Sequence, residues 1–162
     1  MARMHRGFVV FYCIVSLCFA GAAYSEGNGW EDLSSSKEDT YITSRKVVIN
    51  VETNEFSYRG SVVLRRGDMV LNSDRLDGRY NEKQGIDEMV ATGNVSIEKG
   101  KSIKAVSQRA VYNKEEETMV LTEGPQVEEN GSVLMADMVT ILLRENKSLA
   151  EGNVRIRLLE GK

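Results

Sequence analysis

Cysteine and histidine are nearly missing from this 162-residue chain, and proline occurs once. The two cysteines, Cys13 and Cys18, and the only histidine, His5, all fall within the first 20 residues. Everything beyond them therefore lacks a Ser-His pair, a thiol nucleophile, a disulfide and a His/Cys metal site. No cofactor and no metal are expected, and the chain does not read as an enzyme. Carboxylates are the remaining candidates for acid-base chemistry, but Glu115-Glu116-Glu117 and Asp87-Glu88 read as polar turns. The chain has 21 basic against 24 acidic side chains, interspersed along its length. That balance gives no basic face for nucleic acid and reads as a solvated surface.

The apolar run from Gly7 to Ala20, "GFVVFYCIVSLCFA", is shorter than the roughly 20 residues a spanning helix needs. Arg3, His5 and Arg6 precede it, and Ala23-Tyr24-Ser25 follows with small residues at the two positions a signal peptidase reads. This is the pattern of a secretory signal, with Glu26 as the first mature residue. The alternative is an uncleaved N-terminal anchor. A lipoprotein reading around Cys18 is weakened by bulky Leu17. The domain reading is thus a signal peptide at 1–25, a flexible mature N-terminus at 26–39, and one domain at 40–162, long enough to bury a core.

The remainder repeats itself. Gly60, Gly93, Glu123 and Gly152 are pivots of one recurring pattern. Phe56 and Tyr58 stand four and two residues before the first pivot, and Val62 and Leu64 two and four after it. Met89 and Ala91, then Val95 and Ile97, flank the second; Met119 and Leu121, then Pro125 and Val127, the third; Ser148 and Ala150, then Val154 and Ile156, the fourth. Alternation of this kind marks a strand with one buried face. A small residue inside such a strand marks a bulge or bend. Between pivots a second element recurs on Ser44-Arg45, Ser73-Asp74, Ser107-Gln108 and Ala136-Asp137. Polar turns, "TNE", "NEK", "NKEEE" and "RENK", follow these elements.

A period of about 30 residues without helical spacing implies an all-β repeat whose units must stack to bury their faces. The shared parity predicts one apolar channel lined by Ile49, Phe56, Tyr58, Val62, Leu64, Leu71, Leu76, Tyr80, Val95, Ile97, Tyr112, Leu121, Val139, Ile141 and Ile156. A self-filled core reads from the same pattern. Val48, Val63, Val70, Val90, Val106, Val111, Val120 and Leu142 have the opposite parity, where β propensity or a contact with a second copy accounts for them.

With signal and repeat together, the chain resembles the OstA-like family. The residues carrying this are "FSYRGSVVLRRGDMVLNSDRLDGRY", "MVLTEGPQV", "VLMADMVTIL" and "TYITSRKVV", and the likeness covers roughly residues 40 to 158. Glu123 departs from it, standing where the small pivot residue belongs, with Gly124 one place later. The resemblance implies an open, twisted β-jellyroll, a V-shaped stack of antiparallel strands in the periplasm. Its interior would hold the acyl chains of lipopolysaccharide. Copies would join head to tail through sheet edges. They would link an inner-membrane LptC-type protein and its ABC transporter complex to an outer-membrane LptD-type translocon. A membrane-anchored LptC-type role is the alternative. Arg65, Arg66, Lys99, Lys101 and Lys104, at turns after the pivot strands, are candidate rim contacts for lipid A phosphates.

Overall fold

The computed structural model describes residues 39–81 and 85–159. Residues 1–38, where the signal segment and the flexible mature N-terminus are expected, residues 82–84 and the last three residues lie outside the described residues. The twelve strands are β1 (Thr40–Thr43), β2 (Lys46–Asn50), β3 (Glu55–Arg66), β4 (Met69–Asn81), β5 (Gly85–Lys99) and β6 (Ile103–Asn113), then β7 (Thr118–Thr122), β8 (Gln126–Glu129), β9 (Ser132–Met135), β10 (Met138–Leu142), β11 (Lys147–Glu151) and β12 (Arg155–Arg157). All pair antiparallel in one sheet, and no helix occurs among the described residues. The backbone path runs β1-β3-β4-β5-β6-β7-β10-β11, with β2 on β3, β8 on β6 and β9, and β12 on β9. The fold is the expected all-β, open antiparallel jellyroll.

The pivots explain how one sheet acquires two wings. Each is a pair of consecutive residues in the left-handed region: Gly60-Ser61 (φ 79° and 49°), Gly93-Asn94 (79° and 46°), Glu123-Gly124 (62° and 78°) and Gly152-Asn153 (71° and 45°). In β3 and β5 the pair is an extra residue relative to the partner strand, since Arg59 and Val62 oppose Arg75 and Ser73, and Thr92 and Val95 oppose Arg109 and Ser107. Such bulges bend a strand sharply. The Glu123 departure thereby resolves. The pivot needs one glycine among two positions, and there the second supplies it.

The residue facing each pivot is the second recurring element of the sequence. Arg45 N donates to Gly60 O at 3.0 Å, Gln108 N to Glu123 O at 3.2 Å, and Asp137 N to Gly152 O at 2.8 Å. Two aspartates clasp the asparagine of the opposing pivot: Asn94 Nδ2 donates to Asp74 Oδ2 at 2.8 Å, and Asn153 Nδ2 to Asp137 Oδ2 at 2.9 Å. Asp74 lies so close to Gly93 that a Cβ there would come within 2.5 Å of its Oδ2. At Gly93 and Gly152 a small pivot opposite an aspartate is thus a steric and hydrogen-bonding requirement of the crease.

Because the pivots neighbour one another across the strands, the whole sheet folds along one line. β2, β7, β10 and β11 lie in one wing and β1, β8, β9 and β12 in the other, while β3 to β6 run through both. Arg66 and Tyr112 show that the wings close on each other. Arg66 ends β3 in one wing, Tyr112 is near the end of β6 in the other, and the guanidinium hydrogen-bonds the tyrosine.

Candidate functional site

The inner face carries the apolar parity. Of the expected lining, Phe56, Val62, Leu64, Leu71, Leu76, Val95, Ile97, Tyr112, Leu121, Val139 and Ile141 are buried, and Tyr58 and Tyr80 pack against them half-buried. Each fully buried aliphatic side chain contributes about 1.5–3 kcal/mol by leaving water. Met69, Ala91, Ile103, Ala105, Ala110, Met119, Val127 and Leu143 join the same cluster and were not among the expected lining. The parity rule already marks them; the alanines and methionines stand out less than branched side chains, whereas Ile103, Val127 and Leu143 carried the same signal as the expected lining. Phe56 lies over Gly78, where a Cβ would come within 2.5 Å of its ring, and meets Tyr58 edge-on with centroids 5.5 Å apart.

Ile49 and Ile156 differ from the rest. Ile49 pairs with Phe56 and Ile156 with Leu134, so both belong to the inner face, yet they are 54% and 62% exposed. They sit on β2 and β12, the strands at the two ends of the stack, where no further strand covers them. The inner face therefore runs the length of the crease and ends in apolar edges at both sides. Tyr41, Val47 and Val51 are exposed at one end, and Val154, Leu158 and Leu159 at the other.

The five cations expected at the rim divide. Arg65, Lys101 and Lys104 are exposed, and Lys104 Nζ lies 3.8 Å from Glu98 Oε1. Lys99 departs from the expected exposed turn. Its side chain is 2% exposed, with Nζ 3.7 Å from Asp68 Oδ1, because it keeps the inward parity of Val95 and Ile97 to the last residue of β5. Arg66 is half-buried on the same face, with Nε sealed from solvent. Burial pushes the Tyr112 hydroxyl above its ordinary value, and the Arg66 contact only partly offsets this. Nearby, Arg144 Nε meets Glu117 Oε2 at 2.6 Å, and its hydrogen bond holds that carboxyl below the ordinary range. Charged and polar groups thus stand at the free margins of both wings, Arg66, Asp68 and Lys99 on one and Tyr112, Glu117 and Arg144 on the other.

The outward valines stay outside the core. Val48 and Val106 are exposed, and Val63, Val70, Val90, Val111, Val120 and Leu142 are half-buried. Also on this outer side, burial alone would push Asp77 up, but hydrogen bonds from Arg75 and Ser57 outweigh it and hold the carboxyl below its usual value. Among the described residues no group of three or more His, Cys, Asp or Glu side chains could hold a metal ion.

An open β-jellyroll of stacked repeats, creased along its pivots around one apolar face, is the class these features define. Residues 41–147 match the family described as LptA/(LptD N-terminal domain) LPS transport protein, and the chain belongs to that family. Among solved structures it is similar to LptH, the LptA homologous periplasmic component of the lipopolysaccharide transport device of Pseudomonas aeruginosa. The TM-score is 0.72 at 13% identity, over 78% of this chain and 99% of that one, a likeness of fold. No curated protein matches the chain in sequence.

Proposed function

We propose that the protein is a periplasmic carrier in lipopolysaccharide export, shielding acyl chains on its inner face and bridging the inner and outer membranes in head-to-tail copies. Family membership supports the transport role. The observation that carries the finer reading is the continuous apolar inner face, buried through the middle of the stack and exposed at both end strands. A lipid crossing water gains about 0.8 kcal/mol for each CH₂ it hides. The open ends and unpaired outer edges of the terminal strands suit pairing with another chain by strand addition. The partners in this reading are an LptC-type protein with its ABC transporter at the inner membrane and an LptD-type translocon at the outer.

Leu76, Leu121, Val139 and Ile141 have no exposed surface, so the wings pack on each other. An acyl chain enters by replacing that contact, which keeps the wall apolar-covered while the chain leaves water. The same complete burial favours the opposing reading, a repeat domain with a self-filled core. Mass spectrometry of lipid carried by the purified processed protein, with uptake of lipopolysaccharide from micelles, separates the two. The carrier holds or takes up the lipid; a chain that does neither is self-filled.

A further inference from the structure

Arg66 and Lys99 are out of place on an apolar wall. In the register, Arg66 pairs with Met69 and Met69 with Lys99, which pairs with Ile103, so the two cations lie on one face two strands apart. That is about 10 Å at the backbone, within reach of two long side chains converging. Met69 and Ile103, at the same level of the wall, are almost fully buried. A cation buried at this level costs desolvation energy that another methionine or isoleucine would not. Both sit at the free margin, where an amphiphile with its chains inside would leave its headgroup.

We propose that Arg66 and Lys99 form a phosphate-binding pair at the mouth of the inner face, and that Tyr112 holds Arg66 across the mouth when no headgroup is present. This rests on the acyl-chain reading above. A phosphomonoester on a saccharide headgroup accepts hydrogen bonds from the guanidinium fork and the ammonium together, stronger than those a neutral phenol offers. Arg66 then exchanges Tyr112 for phosphate as the wings part, and Lys99 exchanges Asp68. Arg65, Lys101 and Lys104, exposed beyond the mouth, have no part in this.

The test compares binding of bisphosphorylated lipid A with binding of the same lipid stripped of phosphate, using the full processed protein. Arg66→Gln and Lys99→Met should each lower the preference for the phosphorylated lipid by about tenfold or more. Arg65→Gln and Lys104→Gln should leave it at the wild-type value. Tyr112→Phe should strengthen binding of the phosphorylated lipid alone. Inorganic phosphate should compete weakly, since it brings no chain. Thermal midpoints near wild type for Lys99→Met, which suits an apolar wall, and for the charge-keeping Arg66→Lys show that the fold is intact. An unchanged preference in Arg66→Gln and Lys99→Met, an equal loss in the Arg65 and Lys104 variants, or competition by inorganic phosphate as strong as by the lipid overturns the pair. Wild-type protein that binds both lipids equally overturns the pair but keeps the inner-face reading; wild-type protein that binds neither overturns both.

Discussion

Ile141 and Ile156 have the same side chain, stand on the same face of the same sheet, and differ completely in exposure, at 0% and 62%. Ile141, on β10, has a strand on either side. Ile156, on β12, pairs on one side with β9 and has nothing beyond it. Ile49 repeats the situation at the opposite end. Position in the stack, rather than residue type or parity, decides whether an inner-face side chain contributes core stability or remains available to a partner. The middle of the jellyroll is a finished core, and its two ends are the same core left unfinished.

The largest effect should come from a charge placed in each region. Leu121→Asp puts an unpaired carboxylate where exposure is zero. It should cost several kcal/mol, enough to unfold a domain of ordinary stability. Ile156→Asp should stay within about 0.5 kcal/mol. Urea denaturation of both variants measures the gap, and similar losses would erase the distinction between middle and end. The crease comes next. Gly93→Ala forces a side chain into positive φ and against Asp74, and should lose about 1–3 kcal/mol in the same assay.

The mouth should respond to pH with opposite signs at the two extremes. Glu117 is held below its ordinary value of 4.5 by Arg144, so its contribution is present above that value and fades as pH falls through the lowered one. Tyr112 is raised above its ordinary 10.0, so its contribution is complete below pH 10 and fades as pH rises through the raised value. Glu117→Gln should flatten the acid limb of a thermal-midpoint profile, and Tyr112→Phe the alkaline limb. The smallest effect on stability should come from Ile156→Pro, which removes a ladder donor at the end strand. If the ends carry assembly, sedimentation should show fewer oligomers with the fold retained. A wild type that stays monomeric at all concentrations speaks against head-to-tail joining.

Much of this was legible in the residues because a strand's period of two is a strong signal. Phe56, Tyr58, Val62 and Leu64 declare one face on both sides of Gly60, and the structure places them there. The crease was legible as a recurrence of small pivots and of a second element at Arg45, Asp74, Gln108 and Asp137, but that the two face each other emerges only in the folded sheet. Parity cannot tell how many neighbours cover a face, so Ile49 and Ile156 looked no different from Ile141. It also cannot carry a strand past its apparent end. Lys99 looked like a turn residue because lysine precedes Gly100, yet its inward phase persists and buries it. The Arg66–Tyr112 contact joins residues far apart in sequence, and only folding the sheet on its crease brings them together.

The most direct measurement of the central claim is photo-crosslinking in cells exporting lipopolysaccharide. The photoreactive residue is placed at Leu64 or Ile97, buried on the inner face, and at Val63 or Ser96, half-buried with the opposite parity. Capture of lipopolysaccharide at Leu64 and Ile97 and not at Val63 and Ser96 is the predicted result. Equal capture on both faces, or none at any of the four positions, would contradict an inner face that carries lipid.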